Sequence, residues 1–189
     1  MVVALRVVLK DVRPQVWRQL RVPSAFSLAD LHFVLQVAMG WKNSHLHQFT
    51  VDRVRYTDLT PDDPKDMRDE RSLRLSELAR KGKSFTYEYD FGDGWDHHIT
   101  IEDVDDDGTD STATCVGGKR TCPPEDCGGP HGYMRLLKIL ANARHREHQE
   151  MTEWVGKFDP ATFDVAAVNR MLLTGPIARA RRLRRGLSG

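Results

Sequence analysis

The chain has no run of about 18 apolar residues, so no transmembrane helix is expected. Its opening, MVVALRVVLKDVRP, puts no charged segment ahead of a long apolar stretch, and no secretory leader is expected there. Cysteine is scarce. Cys115, Cys122 and Cys127 are the three present, an odd number crowded into one segment. That pattern excludes a secreted disulfide framework and fits reduced thiols in a cytoplasmic setting. Neither sign of charge prevails: 28 Lys and Arg face 27 Asp and Glu, a formal net charge of +1, so the global balance selects no partner. No internal repeat is visible. The tripeptide Asp90-Phe91-Gly92 occurs in kinases, but no glycine-rich phosphate loop or catalytic loop accompanies it here.

What is present suffices for one core. Four Trp, seven Phe and the aliphatics among 189 residues can close a domain without staples. Residues 2–9 are rich in β-branched side chains, residues 16–22 alternate in part with period two, and Arg13-Pro14 reads as the turn between them. Ser27 with Asp30 three residues on has the form of a capping box; Leu28, Leu31, Val34, Leu35 and Ala38 follow at helical spacing, and Gly40 closes the helix. Residues 45–51 and 53–57 read as a hairpin with its turn near Asp52-Arg53, and residues 58–71 as an exposed or partly disordered loop. The clearest hairpin follows. Phe85, Tyr87, Tyr89 and Phe91 alternate with polar residues, Gly92-Asp93-Gly94 turns the chain, and Trp95, His97, Ile99 and Ile101 alternate again, so these apolar faces are expected to be buried. Residues 115–130 read as irregular, and helical spacing returns at residues 133–140, 147–155 and 161–173. The expected fold is a single α+β domain over residues 1–175, an antiparallel sheet built from hairpins with helices packed on one face. A basic tail, residues 176–189, is expected to be flexible.

Three blocks carry a family resemblance: residues 40–49 (GWKNSHLHQF), residues 89–97 (YDFGDGWDH) and residues 122–130 (CPPEDCGGP) with Gly132-Tyr133 following. A weaker fourth holds Trp154-Val155-Gly156, Phe158-Asp159-Pro160 and Phe163-Asp164. In order and rough spacing the chain resembles the plasmid pRiA4b ORF-3-like family as far as about Asn169. The resemblance implies association with plasmids and transposons, where some members are called TnpR passenger proteins. It brings no settled activity, and the sequence carries no serine-recombinase signature.

The histidines give the strongest site signal. In a strand over residues 45–51, His45 and His47 share a face with Phe49 and Val51, while His97 shares one with Trp95 and Ile99. A pocket of His45, His47, Asp93, Trp95 and His97 is the first candidate. Its imidazoles, with the Asp93 carboxylate, have the chemistry to hold zinc or to move protons. The competing reading is that each ring bonds a carbonyl or carboxylate and only braces a hairpin. A second metal set is Cys115, Cys122, Cys127 and His131, which lacks the tight Cys-x-x-Cys knuckle. Backbone amides of Gly128, Gly129 and Gly132 at a helix start are candidates for holding an anion. Arg179, Arg181, Arg182, Arg184 and Arg185 are candidates for nucleic-acid phosphate contact, against the alternative of a solvated terminus. The functional expectation is a domain that binds a ligand or partner at the His/Asp face. The alternatives are a metal-dependent hydrolase at that face and an accessory factor for nucleic acid or protein.

Overall fold

The computed structural model describes residues 1–174. Its strands are β1 (Val2–Leu9), β2 (Trp17–Pro23), β3 (His47–Val51), β4 (Val54–Thr57), β5 (Arg68–Asp69), β6 (Ser84–Tyr89), β7 (Trp95–Asp105) and β8 (Thr114–Lys119). The helices are α1 (Leu28–Met39), α2 (Leu75–Leu78), α3 (Gly129–Leu140), α4 (His148–Val155) and α5 (Val165–Thr174). The strands form one sheet in the order β5-β4-β3-β6-β7-β1-β2-β8. Among the described residues only the short β4–β5 pairing is parallel. This is the expected α+β architecture, and among the described residues no helix is long and apolar enough to cross a membrane.

Alternation decides which face is covered. Val3, Leu5, Val7 and Leu9 of β1 lie buried on the face that also takes Phe85, Tyr87 and Tyr89 from β6 and Trp95, His97, Ile99 and Ile101 from β7. Against it α1 lays Leu28, Leu31, Val34, Leu35 and Ala38. The helix is fixed at both ends as its sequence predicts. Ser27 and Asp30 form the reciprocal capping box, and Gly40 turns out of the helix in the left-handed region at φ 94°. The Asp52-Arg53 turn has both residues at positive φ, the conformation of a type I′ hairpin turn. The β6–β7 hairpin pairs Tyr89 with Trp95, Tyr87 with His97 and Phe85 with Ile99, so His97 is buried and His98 exposed. Phe91 falls outside the strand and is exposed.

The same alternation drives a charge inward. Arg18 shares the inner face of β2 with Leu20 and Val22 and is 1% exposed. Its Nε donates to Ala38 O at 2.7 Å, at the negative end of the α1 dipole, and its Nη1 to Trp17 O and Lys119 O. Its guanidinium stacks 3.8 Å from the Phe163 ring centre, and burial holds its pKa below the usual value. Gly118 makes room for that ring, since a Cβ there would lie 2.2 Å from it.

Two segments depart from expectation. Residues 115–119, the start of the segment read as irregular, belong to edge strand β8, which pairs with β2. The outer edge of β8 is closed by Asn169, whose carboxamide accepts from Cys115 N at 2.7 Å and donates to Cys115 O at 2.9 Å, in the manner of a neighbouring strand. The polar stretch after β4 is not wholly a solvent loop. It ends in β5 and a 3-10 turn (Glu70–Ser72) that carries Glu70 into the interior at 3% exposure.

Candidate functional site

The three expected histidines do not converge. His45 precedes β3 rather than belonging to it, so the shared-face argument does not reach it. His47 and His97 do lie on the covered face, but β6 stands between their strands, which separates them by about 10 Å at two strand spacings. Each ring has its own surroundings. His97 is fully buried, donates Nδ1–H to Tyr87 O at 3.1 Å, and meets the edge of Trp41 at 5.2 Å between ring centres. Burial pushes its pKa down to about 4, so it is a neutral core residue, and neighbouring Trp95 is likewise fully buried. The pocket of His45, His47, Asp93, Trp95 and His97 is therefore not formed, because its members belong to separate environments.

His47 joins a buried polar network that the sequence did not announce. Its Nε2 lies 2.8 Å from Glu70 Oε2, and its ring stacks on His32 from α1 with centres 3.5 Å apart and planes 9° from parallel. His32 Nδ1 accepts from Tyr87 OH at 2.8 Å, which fixes its other nitrogen, Nε2, as the donor to Asn43 Oδ1 at 2.7 Å. Gln36 adds a bond to the same Tyr87 hydroxyl. Burial, then the neighbouring His47, lowers the His32 pKa to about 3. Helix α1, β3, β6 and the 3-10 turn are thus laced together beneath residues 43–47.

His45 has different company. The turn between β6 and β7 begins at Asp90, which sits at φ 58°, a left-handed conformation that Asp tolerates better than most residues. Asp90 Oδ1 accepts from Gly92 N at 3.0 Å and Asp93 N at 3.3 Å, which leaves Oδ2 to face His45. Asp126, also at φ 58°, approaches from the loop before α3. His45 Nε2 lies 3.2 Å from Asp126 Oδ1 and 3.6 Å from Asp90 Oδ2. The first oxygen is out of line and the second too distant, so this buried nitrogen makes no hydrogen bond. Among the described residues this is the one group of three His, Cys, Asp or Glu ligand atoms that falls within 4.8 Å.

The three resemblance blocks supply one member each: His45 from the first, Asp90 from the second, Asp126 from the third. They are locked together around the group. Trp41 stacks on Tyr89 at 4.7 Å and donates Nε1–H to Pro123 O at 3.2 Å. Tyr89 OH donates to Glu125 Oε1 at 2.9 Å and accepts from Ser44 N at 3.0 Å, while Lys42 N donates to the same Glu125 oxygen at 2.8 Å. Burial keeps the Tyr89 phenol well above its ordinary pKa, so it stays a donor.

The remaining candidates have other roles. Asp93 does not face the histidines; its Oδ2 accepts from Gly128 N at 3.2 Å. That carboxylate thus takes the Gly128 amide that was a candidate for holding an anion. Gly132 N bonds Gly128 O within the helix start. The glycines are required by close approach instead: a Cβ on Gly129, at φ 66°, would lie 2.3 Å from Asp93 O, and one on Gly132 would lie 2.0 Å from Cys127 O. Gly129→Ala should therefore cost at least about 2 kcal/mol of stability. A thermal melt matching the parent would contradict that packing.

The Cys115, Cys122, Cys127 and His131 set does not assemble. Cys115 sits in β8 and donates to Gly117 O, while His131 is exposed on α3. Burial raises the pKa of all three thiols, Cys127 to about 12. Arg179, Arg181, Arg182, Arg184 and Arg185 lie outside the described residues.

Sequence reasoning missed Asp90, Asp126, His32 and Glu70. The available signal for the first two was that each resemblance block contains a ligand-type side chain, which invites pooling the blocks before pairing residues within a strand.

An open sheet with helices on one face carries a His/Asp group at a three-way junction of loops. The chain belongs to the plasmid pRiA4b ORF-3-like family, whose model matches residues 1–167. It is similar to the uncharacterized protein y4hQ of Sinorhizobium fredii, with 42% identity over 172 residues, covering 89% of this chain and 86% of that protein. Its fold is similar to the crystal structure of a protein of unknown function, MM3350, from Methanosarcina mazei Go1. That likeness has a TM-score of 0.78 and 30% identity, over 87% of this chain and 95% of the other.

Proposed function

We propose that this domain binds a divalent transition-metal ion through His45, Asp90 and Asp126. The observation that carries the reading is the buried His45 Nε2 without a hydrogen bond, facing two carboxylate oxygens at 3.2 and 3.6 Å. Two ligand atoms each roughly 2.0–2.2 Å from a shared zinc ion lie about 2.8–3.6 Å apart for angles between tetrahedral and octahedral. The alternative is a plain contact between His45 and its two aspartates, which needs no metal.

One nitrogen and two carboxylates suit zinc, manganese or iron better than copper(I), which prefers sulfur. Three protein ligands leave coordination positions for water or substrate, the arrangement of a working rather than a purely structural ion. The exposure of Asp126, with 72% of its side chain open, supports such access. An ion there supplies Lewis acidity and an activated water, so metal-dependent hydrolysis is the enzymatic form of this reading. Three free thiols support a reducing, cytoplasmic setting.

The test uses tag-free protein stripped with chelator. Zinc at about 100 times its dissociation constant should add about 2.7 kcal/mol, and so raise the melting temperature by about 5–10 °C. Asp126→Asn keeps the side-chain shape and a residue type that accepts the left-handed backbone, and it should abolish most of that rise. An equal rise in parent and variant would reject the site.

A further inference from the structure

Beside the His/Asp group runs a groove of about 250 Å3 between α3 and α4, lined by Asp126, Arg135, Leu136, Ile139, Met151 and Trp154 among others. Asp126 is common to the groove and to the ion-binding group. We propose that this groove binds a small anion, a phosphate or carboxylate carrying one aryl-sized apolar group, with its charge between Arg135 and the ion; this rests on the metal reading above.

Three features select that chemistry. The first is charge. Arg135 spends one nitrogen, Nη2, on Glu147, and Arg146 Nε shares the same carboxylate from 3.2 Å. Two guanidiniums on one carboxylate leave a net positive charge, and the rest of the Arg135 fork remains for a ligand. An ion on Asp126 adds a second positive centre on the groove wall, so the charged end of an occupant is negative. The second is apolar surface. Trp154 is 49% exposed, an uncommon position for the largest apolar side chain, and it lines the groove with the partly exposed Met151. The third is size. A cavity on the order of 150 Å3 holds benzene, so a groove of about 250 Å3 has room for a single ring with an anionic substituent.

The experiment follows the Trp154 indole N–H resonance in tryptophan-labelled protein, stripped and zinc-loaded, during titration with phenyl phosphate. Benzyl alcohol removes the charge from the probe, and inorganic phosphate removes the ring. Zinc uptake is read separately by elemental analysis of the dialysed protein, so failure of the metal reading is recognised before any ligand is added. In zinc-loaded parent, phenyl phosphate should shift Trp154 saturably. Each control compound, and phenyl phosphate on Arg135→Gln, should bind at least ten-fold more weakly. Stripping the zinc should weaken phenyl phosphate at least ten-fold as well. His148 Nδ1 still bonds Ile139 O in Arg135→Gln, so α4 keeps an anchor on α3, and an unchanged melting temperature verifies this. If zinc is taken up but Trp154 does not move, or if Arg135→Gln binds like the parent, the groove proposal is overturned and the metal site stands. If no zinc is taken up, both are overturned.

Discussion

Glu70→Ala should lower the unfolding free energy by about 1–3 kcal/mol, the range for leaving a buried hydrogen-bonding group without its partner. Glu70 is 3% exposed and lies 2.8 Å from His47 Nε2, so truncation leaves the imidazole N–H buried without an acceptor. The damage should spread, because His47 stacks on His32 and His32 holds Tyr87 and Asn43. Glu70→Gln preserves an acceptor oxygen at the same reach and should cost distinctly less. Urea unfolding of both variants beside the parent measures the difference. A loss below about 1 kcal/mol for Glu70→Ala would contradict the network's structural role.

Mild acid should weaken the domain by a similar amount. Burial holds His32 down to about 3 and His97 to about 4, against 6.5 in the unfolded chain. The unfolded state therefore binds protons in a range where the folded state does not. The stabilisation is intact above pH 6.5 and is lost as the pH falls from there toward the folded values. Well below pH 6.5 each group contributes about 1.4 kcal/mol per pH unit, so about 3 kcal/mol should disappear between pH 6.5 and 5. The groups facing His32 are His47, Asn43 and Tyr87, none of them an anion; around His97, Asp96 favours the charged ring and Arg18 opposes it, and burial outweighs both. Equal urea midpoints at pH 7 and pH 5 would contradict the assignment of both rings as neutral core residues.

The elements most legible in the sequence are those whose determinants are local. The Ser27–Asp30 capping box, the Gly40 cap and the β6–β7 register each depend on residues within a few positions of one another, and each forms as its pattern predicts. Edge strand β8 was not legible. Its sequence, TCVGGK, lacks alternation, and its strand form depends on β2 on one side and the Asn169 carboxamide, 54 residues away, on the other. The buried Glu70 was hidden for the same reason, since a polar stretch gives no sign that its end meets an imidazole 23 residues earlier. At the site, His45 was visible as a ligand type, but its partners were not. Period-two reasoning paired it with His47, whereas two residues at φ 58°, Asp90 and Asp126, turn the chain so that their carboxylates meet it from different loops. Side chains brought together by three separate turns leave no spacing rule in the sequence.

The most direct measurement is zinc stoichiometry, by elemental analysis after equilibrium dialysis of tag-free protein, for the parent and His45→Ala side by side. The metal assignment predicts one zinc per parent chain and a loss of at least 100-fold in affinity in the variant, about 2.7 kcal/mol at that ratio. Parent protein that emerges without stoichiometric zinc, or a variant that retains it as tightly as the parent, would contradict the assignment and leave His45, Asp90 and Asp126 as a plain contact bracing three loops.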